Sequence, residues 1–280
     1  MSQPDPVSTL APGGQPLELL FERTGLAHFA LPEALVRNYG GPLNLPPSCV
    51  YANFVASLDG VVALPGDTES GQIISGRNAA DRFVMGVLRT CADAVLLGAG
   101  TFRKSAGHLW HPDRIYPQAA AIFAEARARL GLRPRPLFAL LSASGAFDTS
   151  QPALADAWVF TTTTGESRLR GKLPESTRLI VQDGAHLDLA AALHALRNEG
   201  CHRVLTEGGP SLFSQLVQGG LLDQLFLTSS PALFGRFDAD ERKSLAEGLD
   251  LSGTVLDLLS ARRHGSHLFL RYALKDAAVP

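Results

Sequence analysis

The sequence predicts a three-layer α/β domain: a central, mostly parallel sheet, antiparallel strands at one edge, and helices on both faces. Three observations carry this. Six near-continuous apolar runs follow one another between residues 50 and 207, as strands covered on both faces require. Helical stripes separate them, and strand–helix alternation is the signature of a layered parallel sheet. Two later apolar runs, "DQLFLTSSP" and "SHLFLRYAL", are joined by no crossover-type helix, which is the pattern of an antiparallel pair.

Residues 1–16, rich in Pro, Gly, Ser and Gln, are expected to be disordered at first. The rest of residues 1–45 reads as an N-terminal arm with one helix packed on the main domain, which then occupies 46–280. The strands expected are "VYANFVAS" (50–57), "DAVLLGA" (93–99), "PLFALLSA" (136–143), "AWVFTT" (157–162), "TRLIVQ" (177–182) and "HRVLTE" (202–207). Among the helices, Arg77 to Ala92 places Phe83, Val84, Val87, Leu88 and Cys91 on one stripe. "YPQAAAIFAEARARLGL" ends on Arg127, Arg129 and Gly131, a helix C-terminal pattern. "DLAAALHALRNEG" opens on Asp188 as its cap, buries Leu189, Leu193 and Leu196, and closes on Gly200.

Composition narrows the function. The chain has 280 residues and a formal net charge of −2, so it shows no electrostatic footprint for nucleic acid or an anionic membrane. No apolar run approaches the roughly 18 residues that span a bilayer. "MSQPDPVSTLAPGGQP" lacks the basic start and apolar core of a signal peptide, and a cytoplasmic location is expected. Cys49, Cys91 and Cys201 form no CxxC pair, which argues against disulfides and zinc; Cys91 and Cys201 read as buried hydrophobes. His108 and His111 in "GHLWHP" lack a third ligand, so no metal is expected. A Walker sequence and a GxSxG elbow are both missing.

Three turn signals stand at the ends of expected strands. In "VLTEGGPSLFSQLVQGG" the strand ends at Glu207, Gly208 and Gly209 form the turn, and Pro210 suits the first turn of a helix that buries Leu212, Phe213, Leu216 and Val217. Free amides at that helix start favour a phosphate, and glycines allow close backbone approach. Ligands of open α/β sheets sit outside the carboxyl ends of strands. From these residues alone a purely structural turn is the favoured reading, with the phosphate site as the alternative. In "YANFVASLDG", Asn53 and Asp59 can bond a polar heterocycle, or Asp59 can brace its own turn. In "LLGAGTF", Gly98 and Gly100 form part of a dinucleotide turn without the full GxGxxG. A nucleotide lying across several strand ends accounts for all three.

Taken together, "NFVASLDGVVAL", "SGRNAADRFVMGVLRTCADAVLLGAGTFR" and "VLTEGGPSLFSQLVQGGLLDQLFLTSSPALFG" resemble the pyrimidine reductase half of the bacterial bifunctional deaminase-reductase of riboflavin biosynthesis. That family is similar in fold to dihydrofolate reductase, and the resemblance spans roughly residues 48–275. It implies NADPH as cofactor and reduction of the ribose of 5-amino-6-(5-phosphoribosylamino)uracil to a ribityl chain. By the same resemblance, Gly208, Gly209, Pro210, Ser211 and Leu212 cradle cofactor phosphates, Gly98, Gly100 and Thr101 touch the cofactor, and Val55 lies near the nicotinamide. Asp59 and Glu207 are then the catalytic acids, with Asn53, Ser70 and Glu207 facing the substrate.

Two departures shape the expectation. The deaminase half's zinc signature HxE…PCxxC has no counterpart here, so deamination is not expected. "SASGAFD" offers no basic residue for a 2′-phosphate after its strand, leaving Ser142 or Ser144 as donors. The apolar late strands and the family's habit point to a homodimer. The alternatives are a related reductase of another heterocycle, such as dihydrofolate, and a non-catalytic nucleotide-binding module.

Overall fold

The strands expected from residue 50 onward are all present in the computed structural model, which describes residues 10–26, 31–43, 45–66, 69–236, 241–251 and 253–274. In chain order the arm supplies β1 (Glu18–Glu22) and α1 (Glu33–Tyr39), and then come β2 (Cys49–Ala56), β3 (Val61–Ala63), α2 (Ser70–Ile74) and α3 (Ala79–Cys91). Next are β4 (Ala94–Gly98), α4 (Ala99–Arg103), α5 (Pro112–Ile115), α6 (Ala120–Arg129), β5 (Leu137–Leu141), β6 (Trp158–Thr162) and α7 (Thr163–Leu169). The chain continues through β7 (Arg178–Gln182), α8 (Leu189–Asn198), β8 (Arg203–Thr206), α9 (Pro210–Gln218) and β9 (Gln224–Ser229), and ends on β10 (Lys243–Ser244), β11 (Leu256–His264) and β12 (His267–Leu274).

Ten strands form one sheet in the order β1-β11-β12-β9-β2-β8-β4-β5-β6-β7. From β9 through β2 to β7 every pairing is parallel, and β9-β12-β11-β1 is antiparallel. The antiparallel edge expected from the late strands is there, with β12 directly on β9. β11 was not legible. Its run carries Arg262, whose buried guanidinium reaches Glu22 Oε2 at 2.6 Å and lies over the Tyr39 ring. Arg262 thereby fastens the arm. Although α1 packs on the domain through buried Leu35 and Tyr39 as expected, β1 makes the arm an edge strand of the same sheet. The disorder expected for residues 1–9 lies outside the described residues; residues 10–16 include a turn of 3-10 helix at Pro12–Gly14.

Apolar side chains alternate between the two faces of the central strands. Leu205, Val95 and Leu97 join α3 and α6 on one side; Val204, Ala94 and Leu96 join α8 and α9 on the other. Carboxylates organise the strand starts: Asp223 Oδ2 accepts from Val50 N at 2.6 Å, and Asp93 Oδ2 accepts from Arg203 N at 2.6 Å. Helix α3 is capped by Asn78, whose side chain accepts from the Ala80 and Asp81 amides. At its other end buried Arg127 donates to the carbonyls of Arg89, Thr90 and Ala92, a cation where the helix dipole is negative. Burial pulls Arg127 down to about 10, and α3 is thereby held at both ends. Cys91 and Cys201 are buried, as is Cys49.

Candidate active site

A cleft of about 510 Å³ opens at the carboxyl ends of β4, β5 and β8, within the usual range for a small-molecule site. Two turns form its floor. Gly98, Gly100 and Thr101 come from the start of α4, and Gly209, Pro210, Ser211 and Leu212 from the start of α9. Pro210 occupies the first helical position, where its missing N–H costs nothing. The Ser211 amide, at the second position, precedes the intrahelical ladder, which begins with the Leu212 and Phe213 amides bonding Gly209 O. A Cβ on Gly209 would stand 3.1 Å from Thr101 Oγ1, so glycine lets the two turns close on each other. Gly208 does a different job: it is buried, its amide donates to Thr206 Oγ1 at 3.2 Å, and a Cβ there would meet Leu212 Cδ2 at 2.6 Å. The cleft's far wall is Leu141, Ala143, Leu187 and Leu189.

Glu207, one residue past β8, turns to the α3 side of the sheet. Arg89 Nε lies 3.1 Å from both its oxygens and Nη2 lies 2.6 Å from Oε2. The side chains are 1% and 7% exposed, a buried ion pair. Arg89 Nη1 is buried with no hydrogen-bond partner among the described residues. Eight residues earlier on α3, Asp81 accepts from the Thr228 and Ser75 side chains; burial pushes it up to about 6, with the nearby Glu207 charge adding to the rise. His108 is pulled below its ordinary value by burial first and by Arg89 second. Behind the strand ends, then, sit Glu207, Arg89, Asp81 and His108. Arg89 and Asp81 gave only weak signals, a charge on an apolar stripe and an acid in a first turn; Thr228 gave none.

The other expected residues divide. Ser142 is buried, with no hydrogen-bond partner for its hydroxyl among the described residues, while its neighbours Leu141 and Ala143 line the cleft. Strand alternation turns it to the opposite face, which corrects its expected contact with the cofactor. Asp59 accepts from Ser57 Oγ at 2.5 Å, Phe234 N at 3.1 Å and Gly235 N at 2.5 Å. Those bonds hold it below its ordinary value, the Ser57 hydroxyl most, so Asp59 braces the loop after β9 and does not line the cleft. Asn53 lies beside Tyr39, Phe226, Thr228 and Arg271 on a separate crevice of about 10 Å³, room for one water. Ser70 Oγ accepts from Leu64 N at 3.0 Å at the start of α2. Half-buried Val55 faces that helix, with a Cβ on Gly71 falling 3.7 Å from its Cγ1. Among the described residues no His, Cys, Asp and Glu cluster fit for a metal is formed.

The sequence profile of the RibD C-terminal domain matches residues 48–270, most of the chain. The chain belongs to the RibD C-terminal domain family. A 2,5-diamino-6-ribosylamino-4(3H)-pyrimidinone 5′-phosphate reductase of Archaeoglobus fulgidus is 25% identical over 194 residues, 68% of this chain and 83% of that protein. Among solved structures, a pyrimidine reductase-like protein of Corynebacterium diphtheriae superposes with a TM-score of 0.68 at 24% identity, covering 88% of this chain and 100% of the other. Acinetobacter baumannii RibD gives 0.61 at 18% identity, over 82% of this chain and 58% of that longer protein. The family's profile begins at residue 48, so β1 and α1 lie outside it. No helix among the described residues is long and apolar enough to cross a membrane.

Proposed function

We propose that the chain is an NADPH-dependent reductase of riboflavin biosynthesis that converts the ribose of 5-amino-6-(5-phosphoribosylamino)uracil to its ribityl form. One observation carries this: the facing turns Gly98–Thr101 and Gly209–Leu212 floor a cleft at the strand ends, and the end of the same strand β8 carries the buried Arg89–Glu207 pair on the α3 side of the sheet. Membership of the RibD C-terminal domain family and the A. fulgidus reductase support it.

The cleft fits the cofactor. Its volume, the unladdered Ser211 amide and the close approach at Gly209 suit a pyrophosphate, and its apolar far wall suits a purine. When bound, the reduced cofactor would supply a hydride for the ribosyl carbon, and the ring oxygen released as that bond opens would take up a proton. The residues bind, orient and hold charge. Ser211 and Thr101 grip the phosphates, and Val55 borders the nicotinamide. Arg89 fixes the plane of the Glu207 carboxylate, which accepts from substrate hydroxyl or ring N–H groups. Ser70, at the start of α2, extends the substrate side beyond it. Asp59 keeps the loop after β9 in place. The chain works as a homodimer through its antiparallel edge, in the cytoplasm, where three free buried thiols suit a reducing compartment.

The test is consumption of NADPH, followed by its absorbance, with the phosphoribosylaminouracil against dihydrofolate. Turnover of the pyrimidine alone supports the reading. Turnover of dihydrofolate alone transfers the site to another heterocycle, and turnover of neither leaves a nucleotide-binding module.

A further inference from the structure

We propose, resting on the reductase reading, that His108 is the acid that protonates the ribose ring oxygen as the sugar opens. Hydride addition forms a C–H bond at the ribosyl carbon and breaks that carbon's bond to the ring oxygen, whose electron pair stays on the oxygen. The sugar carbon is reduced, the cofactor is oxidised, and one proton is needed to complete the new hydroxyl. The His108 imidazolium gives that proton, and solvent restores it after each turnover.

The fold brings this ring to the reacting side. Its loop leaves α4, whose first turn floors the cofactor cleft, and crosses to the α3 face of the sheet. Three bonds pin it: Ser105 Oγ donates to Thr101 O at 3.0 Å, the Gly107 amide to Gln151 Oε1 at 2.7 Å, and the His108 amide to Ser105 O at 3.0 Å. Trp110, buried in the same core as Leu97 and Leu205, stacks on Phe138 with ring centroids 4.8 Å apart. The His108 ring meets Trp110 edge-on at 5.0 Å. It therefore stands on the face to which Glu207 turns, within electrostatic reach of Glu207 and Arg89. The ring is half-buried, and neither of its nitrogens has a hydrogen-bond partner among the described residues. Packing orients the imidazole and leaves its nitrogens for a ligand.

The other acids of the region are committed elsewhere. The Glu207 carboxylate accepts at both oxygens from Arg89. Asp59 is held ionised by the Ser57 hydroxyl and the Gly235 and Phe234 amides. Asp81 is 5% exposed and shut in with Thr228 and Ser75, and His186 belongs to the cofactor cleft. Two charges act on the His108 ring, Arg89 from α3 and Glu207 from the end of β8. Burial and then Arg89 lower its pKa, and Glu207 raises it. An imidazolium so placed releases its proton readily, as a general acid must.

The experiment follows NADPH-dependent reduction of the phosphoribosylaminouracil from about pH 5 to about pH 9, the range around an imidazole's titration. Wild type is compared with His108→Phe, His108→Gln and His111→Asn, each checked by NADPH calorimetry and thermal unfolding. His108→Phe keeps the packing on Trp110, His108→Gln keeps an N–H, and neither titrates. Wild-type kcat/KM should fall about tenfold per pH unit once pH passes the imidazole's value, which lies below 6.5. Both His108 variants should lose about a hundredfold or more in kcat, show no such fall, and bind NADPH as wild type does. His111→Asn should keep the fall. An imidazole proton resonance that titrates with that fall in the free wild type, and is missing from His108→Gln, assigns it to this ring. The proposal is overturned if either His108 variant, folded, keeps the wild-type rate, if the fall persists without the ring, or if NADPH affinity drops in step with turnover. It is equally overturned if His111→Asn is the variant that loses the fall. No turnover by wild type would overturn the reductase reading itself, a result distinct from any of these.

Discussion

Arg89 and Glu207 meet in a buried two-point ion pair, 2.6 Å at its shortest contact, that joins α3 to the end of β8. Desolvating both charges is expensive, and their attraction offsets that cost only while both are present. Glu207→Gln leaves the guanidinium charge uncompensated beside an Nη1 that already lacks a partner among the described residues. The expected loss is about 3–5 kcal/mol of stability, read by denaturant unfolding, together with about a ten- to hundredfold fall in turnover. Arg89→Met with Glu207→Leu should recover the stability and stay inactive. If the double variant regains turnover, Glu207 is a brace and no part of the chemistry.

Gly209 gives a prediction of the opposite kind. Its φ of −71° is open to any residue, so Gly209→Val strains no backbone. The added side chain meets Thr101 Oγ1 instead, 3.1 Å from the new Cβ, and fills the space a phosphate needs. NADPH affinity should fall at least about tenfold, as a lost charge-assisted contact does, while the unfolding midpoint moves little. A midpoint that collapses with affinity intact among folded molecules would make this turn structural only.

The antiparallel edge predicts assembly. On β1, Leu19, Leu20 and Phe21 are 46%, 50% and 45% exposed, and Leu258 and Leu268 on β11 and β12 are exposed too. Such an apolar edge attracts a partner. Sedimentation at micromolar concentration should show a dimer, and Phe21→Glu should yield monomer. A wild-type monomer removes the proposed homodimer.

How much could be read in advance follows from what each residue depends on. Strands buried on both faces announce themselves as apolar runs, and the caps Asn78 and Asp188 are local, so the central sheet and its helices were legible. The turn at Gly209 was visible because Gly208, Gly209 and Pro210 are neighbours in sequence at the end of an apolar run. Asp59 and Ser142 were placed at the right strand ends, but which way a side chain faces depends on register and on partners far away in sequence, Phe234 for one and the strand's alternation for the other. Arg89 and Asp81 escaped for the same reason. Their partners, Glu207 and Thr228, lie 118 and 147 residues away in sequence.

Asp81 supplies a pH signature. Burial, reinforced by the Glu207 charge, raises it from 3.8 to about 6 against the lowering bonds from Thr228 and Ser75 and the pull of Arg82. Between those values the folded chain holds a proton that the unfolded chain has released. Stability therefore falls as pH rises from about 4 to about 6 and is level above, the reverse of an acid stabilised in its charged form. A rise of about two pKa units corresponds to about 3 kcal/mol across that window. Asp81→Asn keeps an oxygen that accepts from Thr228 or Ser75 and removes the titration. The variant should match wild type near pH 4 and exceed it by up to that amount at pH 7. His108 and His267 are also held low by burial and titrate in both proteins, so the difference between the two curves isolates Asp81. Urea unfolding of both at several pH values measures it. Parallel curves, with no gap opening between pH 4 and 7, would show that Asp81 is ionised in the folded chain at no cost.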